Sequence, residues 1–266
     1  MEEARTSWPL KILVLLLFAF LLVPVLVVIP LSFSGENTLR FPPTSWSLRW
    51  YGAIFQNQRI MSGFRISATL ATLVTILTLA ITLPAAYVIV RLRTRGSEFL
   101  YNVFTAPLLL PTIVLGLAIL IIFAPLGLLG TFTGIALGHL VLTVPYGIRV
   151  TATALAGLAV PVEEAAATLG ARPLVVFTRI TLPLIAPGLL SAAALSFLVS
   201  FDELVITLFL AGPRVSTLPF EMFRHLETRS DPLIAAIAVL MIALTLGAVM
   251  IVHRTVGLSK SFAGGR

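Results

Sequence analysis

The chain has 266 residues, of which 58% are hydrophobic and only 11% charged; its net charge is +7 and it has no cysteine. Soluble domains carry about 25% charged residues, and a soluble fold of this size could not hide so much apolar surface, so the implied solvent is lipid. The lack of cysteine excludes disulfides and thiolate metal sites, and basic residues scattered among short loops suit a membrane surface rather than nucleic acid.

The first apolar run, residues 10–31, continues past the length of a signal peptide without a small-x-small cleavage site and is read as a retained span. A short helix capped by Ser45 is expected next, with Trp46, Trp50, Tyr51, Ile54 and Phe55 on one interfacial face. Span 2 covers residues 66–90 and ends at Arg91, Arg93 and Arg95. Residues 99–148 carry no Asp, Glu, Lys or Arg. As one helix they would run ~75 Å, against a hydrocarbon core of ~30 Å, so they fold back at 124–134 into span 3 (99–123) and span 4 (135–154). Span 5 covers 184–210. Thr217, Pro219 and Glu221 suggest a short outer helix. Span 6 covers 233–252, with Asp231 as N-cap and Pro232 at its first position.

The expected fold is therefore an all-α membrane protein of six transmembrane helices, one transmembrane domain over residues 1–266. Six spans put both termini on one side. Of the basic residues, eleven fall on that side and seven on the other, which places both termini in the cytoplasm.

The longest polar-marked loop, residues 161–183, lies on the same side. Pro161 suits a first helical turn, and Glu163 and Glu164 suit its positive end. Gly170 suits a left-handed helix end, Pro173 a second start, and Pro183 its stop. Leu169, Val176, Phe177 and Ile180 are available to pack. From the residues alone this could be a helical hairpin lying on the membrane.

Glu164-Ala165-Ala166, then Gly170, Ile180 and Leu182-Pro183, resemble at every spacing the EAA loop of ABC importer permeases. The resemblance implies the type I permease fold, with a coupling helix between spans 4 and 5 that docks on a separate ATPase subunit. The ATPase-coupling residues would be Glu163, Glu164, Ala165, Ala166, Gly170, Ile180, Leu182 and Pro183.

No enzyme site is legible. The two lysines, Lys11 and Lys260, follow no P-loop frame. His139, His225 and His253 lack metal-ligand spacing, and no serine stands in a hydrolase motif. Asp202 and Glu203 are the informative pair, because a carboxylate costs about 2.5–3.5 kcal/mol at a bilayer centre. Adjacent helical residues point about 100° apart. Either one acid pairs elsewhere, with Arg149, His139 or Arg214, or the helix breaks there and one acid caps it. At least one facing a solute path is the functional reading.

Residues 200–213, with Thr217-Leu218-Pro219, Arg93-x-Arg95-Gly96 and the stretch from His139 to Pro145, resemble the PotC-type spermidine/putrescine permease subfamily. By that resemblance Asp202, Glu203, Thr112, His139 and Tyr146 would line the path of a small organic cation. Thr112 departs from the pattern, since polyamine-type members often carry an acid after this proline. The implied partners are a second, PotB-type permease, two ATPase subunits, an extracytoplasmic solute-binding protein and the lipid of a bacterial inner membrane. ATP and Mg would bind the ATPase, with no cofactor in this chain and no nucleic acid. Competing readings are an ABC permease for a phosphonate, amino-acid derivative, ferric ion or oxyanion, and an ion-gradient-driven secondary transporter. Against an anion path, the only charges expected deep in a span are acids.

Overall fold

The computed structural model describes residues 8–92 and 94–256. Arg93 of the Arg-x-Arg-Gly pattern, the terminal Arg5, Lys260 and Arg266, and the side chain of His253 lie outside the described residues. In chain order the helices are α1 (Trp8–Ser32), α2 (Arg49–Gln56), α3 (Gln58–Tyr87), α4 (Ser97–Thr105), α5 (Thr112–Phe123), α6 (Phe132–Gly157), α7 (Val160–Thr168), α8 (Pro173–Val176), α9 (Leu182–Phe201), α10 (Val205–Leu210), α11 (Leu218–Thr228) and α12 (Leu233–Val256). A π-helical turn, Val88–Leu92, ends α3, and a second, Phe177–Thr181, joins α8 to α9.

Among the described residues, five stretches are long and apolar enough to cross a membrane: Trp8–Ser32, Gln58–Leu92, Phe132–Gly157, Pro173–Phe201 and Leu233–Ile251. Ser97–Leu109 and Thr112–Phe123, bent by 104° at their junction, make a sixth if counted as one span. The third span expected over 99–123 is thus a bent pair of helices and not one continuous helix. Pro107 and Pro111 cannot donate to a helical ladder, and Pro111 holds Leu110 before it in extended backbone (φ −95°, ψ 139°). Pro183 is a second correction, because it does not stop a helix. The chain runs on from Pro173 to Phe201. The π turn absorbs the proline: Leu182 N–H bonds Phe177 C=O, five residues back, which moves the carbonyls that a proline ring would strike in an α-helix.

The chain forms two compact units. The first draws on Met1–Met61 and Met222–Leu244. Here the loop after α1 folds back on the helix end. Gly35 N–H donates to Ser45 C=O (2.8 Å) and Ser47 N–H to Phe33 C=O (2.7 Å). That pairing occupies Ser45 and Trp46, so α2 begins only at Arg49 behind Leu48, not at a Ser45 cap. The expected aromatic face is divided as well. The Trp50 indole donates to Ser34 C=O (2.9 Å) and the Tyr51 hydroxyl meets that of Ser32 (2.8 Å). Ile54 is 6% exposed and Phe55 71%. The rings fasten the loop to α1 before they can serve as a belt. Glu36 accepts from the backbone and hydroxyl of Thr44, which holds its carboxyl below the usual range. At the start of α12, Asp231 accepts from Leu233 N–H (3.2 Å) and meets His225 Nε2 (3.0 Å).

The second unit draws on Ser62–Glu221 and Thr245–Arg266, and α6 is its axis. More than half of the most apolar part of α6 is buried, against a quarter or less for the other spans. Small residues allow the close approach, as is common between membrane helices. A Cβ on Gly138 would lie 2.5 Å from Leu210, one on Gly147 would lie 2.6 Å from Thr78, and one on Gly188 of α9 would lie 2.3 Å from Ala154. One core cluster holds Leu70, Val74, Ile119, Ile135, Leu142 and Ile206. A second holds Ala86, Ala152, Leu155 and Ile185. Buried Thr78 and Thr143 share a hydrogen bond (2.8 Å) between α3 and α6. Leu218 N–H, at the start of α11, donates to Ser67 Oγ (2.8 Å).

Candidate functional site: a helical loop and a broken span

The loop of residues 161–183 forms the helix, turn and helix expected of it. Pro161 sits in the first turn of α7 behind Ala159. The helix ends on Gly170 at φ +85°. Gly170 N–H bonds Ala167 C=O (3.0 Å) and Ala171 N–H bonds Ala166 C=O (3.1 Å), the paired arrangement of a glycine-terminated helix. Leu169, expected to pack, is instead 89% exposed at the tip, while Val176 is buried.

The two acids of α7 diverge. Glu164 is exposed, as are Ala165 and Pro183, whereas Ala166, Ile180 and Leu182 are half-buried. Glu163 turns inward. Its Oε2 lies 2.7 Å from Arg91 Nε, with the two side chains only 12% and 10% exposed. Its Oε1 accepts from the Thr181 hydroxyl (2.5 Å). The sequence carries no sign that Arg91, seventy-two positions earlier, is the partner.

The second constellation is the break in the fifth span, α9 to α10, at Asp202–Leu204. In a continuous helix Ile206 N–H would bond Asp202 C=O. Instead it donates to Glu203 Oε1 (2.8 Å), so Glu203 caps α10 with its side chain. The Asp202 side chain is exposed, and no hydrogen bond or ion pair engages its carboxylate among the described residues. Neither acid pairs with Arg149, His139 or Arg214 there.

His139 braces the break from α6. It is fully buried, with Nδ1 3.0 Å from Ser200 Oγ and Nε2 3.0 Å from Thr207 Oγ1, one on each side of Asp202. The Thr207 hydroxyl donates to Glu203 C=O (3.1 Å). Its oxygen therefore accepts from His139 Nε2–H, and His139 Nδ1 accepts from Ser200. Spacing could have suggested Ser200 and Thr207, which stand two helical turns apart around a polar interruption. Tyr146, on α6, packs against the apolar core. Thr112 opens α5 directly after Pro111 and is half-buried. No bond joins Thr112 or Tyr146 to Asp202 among the described residues.

Arg149 corrects the expectation that only acids lie deep in a span. It stands on α6, eight residues before the helix ends at Gly157, or ~12 Å inward. It lines two cavities of about 340 and 320 Å³, the second with Tyr101, Asn102 and Thr105. No three His, Asp or Glu side chains gather as a metal site among the described residues.

Together these features describe an all-helical membrane protein with a helix–turn–helix loop before its broken fifth span. Residues 79–257 match the family described as binding-protein-dependent transport system inner membrane component, and the chain belongs to that family. It is the transmembrane permease part of such an importer. The putrescine transport system permease protein PotI of Escherichia coli K12 is 37% identical over 93% of this chain and 89% of its own length. The spermidine/putrescine permease protein PotC of the same strain is 27% identical over 86% and 87%. The fold matches a crystal structure of a bacterial ABC transporter involved in alginate import, at TM-score 0.66 and 18% identity over 97% of this chain and 98% of that one.

Proposed function

We propose that this chain forms half of the path by which an ATP-driven importer brings a polyamine, putrescine or spermidine, across the inner membrane. The observation that carries the reading is the 37% identity with a putrescine permease along nearly the whole of both chains. The other half is a second permease of PotB type. Two ATPase subunits bind ATP and Mg and dock on the loops carrying Glu164, Gly170 and exposed Leu169. An extracytoplasmic binding protein delivers the solute. Both termini lie in the cytoplasm, and residues 1–266 act as one permease domain.

The chain does no covalent chemistry. ATPase closure pulls the docking loops, the spans rock, and the path alternates in access. Asp202 supports the substrate class. An exposed carboxylate with no partner among the described residues, at a helix break in a low-dielectric wall, attracts an ammonium group. Glu203, occupied as a cap, contributes field rather than contact. Thr112, Tyr146 and His139 shape the wall and hold the break. Arg149 favours a second reading, an anionic solute, because a guanidinium that no carboxylate pairs with among the described residues, beside two cavities, attracts carboxylate or oxyanion groups.

Uptake of labelled putrescine into cells lacking other polyamine importers, with the partner subunits co-expressed, decides between them. Putrescine uptake that falls in Asp202→Asn and persists in Arg149→Gln supports the polyamine. Uptake of an anion alone, lost in Arg149→Gln, overturns it.

A further inference from the structure

The two π-helical turns among the described residues meet at one carboxylate. Arg91 belongs to the first, Val88–Leu92, and Thr181 closes the second, Phe177–Thr181. Glu163 holds both, through its 2.7 Å approach to Arg91 Nε and the hydrogen bond from Thr181. The Arg91 contact is chiefly Coulombic, since Nε is placed close to Oε2 without a well-aimed hydrogen bond. Arg91 also donates from Nη2 to the C=O of Leu158, the residue that ends α6 (2.8 Å). The Tyr87 ring meets Phe177 edge-on at 5.3 Å, closing the junction from its apolar side. One side chain of α7 therefore engages both span 2 and span 5, and it is not the Glu164 that the loop pattern singles out.

A π turn is a place where a helix can change register. Exchanging i→i+5 for i→i+4 bonding removes one residue from a turn and shifts the following helix by ~1.5 Å along its axis. A carboxylate fixed to both turns biases both spans together when its own helix moves.

We propose that Glu163 is the positioning residue that transmits movement of the docking helix to spans 2 and 5, with Arg91 and Thr181 as its receivers. This rests on the reading of the chain as an ATP-driven permease, but not on the identity of the solute.

The test needs no substrate. The chain lacks cysteine, so a single Cys at Leu184, an exposed position on α9, can be labelled with a maleimide in the assembled complex, with and without ADP–vanadate. A coupling of usual size changes the labelling rate by about 5-fold or more. The expected result is loss of that nucleotide effect in Glu163→Gln and in Arg91→Met. Glu163→Asp, which keeps the charge, should retain it at least in part. In a cycle in which each single change leaves a residual effect, the double variant should fall no further than the worse single. A full nucleotide effect in Glu163→Gln overturns the proposal while leaving the permease reading intact. So do losses that multiply in the double variant. No nucleotide effect without these substitutions removes ATP coupling itself, and the joint with it.

Discussion

Replacing His139 by Leu removes the brace across the broken fifth span. Two hydrogen bonds vanish, those to Ser200 and Thr207, both 3.0 Å long and fully buried. Each is worth about 1 kcal/mol net, or nearer 0.6 between membrane helices. Thr207 keeps an acceptor in Glu203 C=O, so only Ser200 is left with a buried hydroxyl and no partner, at about 1–3 kcal/mol. The sum is about 2–5 kcal/mol. For a chain of this size that lowers Tm by roughly 5–20 °C, read by tryptophan fluorescence of the purified protein in detergent. Adding Ser200→Ala and Thr207→Val should restore most of the loss, because removing every partner of a buried network costs little. His139→Leu melting with the parent protein, or a triple variant no better than the single, would refute the brace.

Four further outcomes follow from the same geometry. Glu203→Ala should cost about 1 kcal/mol as a lost helix cap, while Glu203→Gln, whose amide oxygen can still accept from Ile206, should melt near the parent protein. Asp202→Asn should leave Tm unchanged, since no described residue bonds its carboxylate, and should lower transport of a cationic solute; an equal drop in Tm would make the acid structural. Gly188→Val should destabilise by at least about 1–3 kcal/mol through overpacking, because its Cβ lands on Ala154. Gly170→Ala meets no atom within 4 Å but must hold φ +85°, so about 1–2 kcal/mol of backbone strain should appear as faster proteolysis of the loop at 161–183.

Local chemistry made much of this legible. The apolar runs marked the spans, Asp231 and Pro232 marked the start of α12, and Gly170 marked the end of α7. What escaped depends on distant partners or on adjustments of the ladder. Pro183 reads as a stop unless the π turn before it is known. Pro107 and Pro111 were visible, but the 104° bend they allow was not. The sequence offered both outcomes for the acid pair, a break or a remote partner, and the structure selects the break. Glu163–Arg91 and His139–Ser200–Thr207 join residues more than sixty positions apart, and no spacing rule connects them. Ser45 failed as a cap because the loop uses its backbone to pair with Gly35.

The most direct measurement is solute uptake into proteoliposomes containing this chain, its partner permease and the ATPase, with the loaded binding protein outside and ATP inside. Putrescine or spermidine is expected to accumulate only with ATP, and ADP or a pH or sodium gradient alone to support no accumulation. Accumulation driven by an ion gradient without ATP would contradict it and make the chain part of a secondary transporter. ATP-dependent uptake of an anion, with polyamines excluded, would keep the importer and reject the cation path through Asp202.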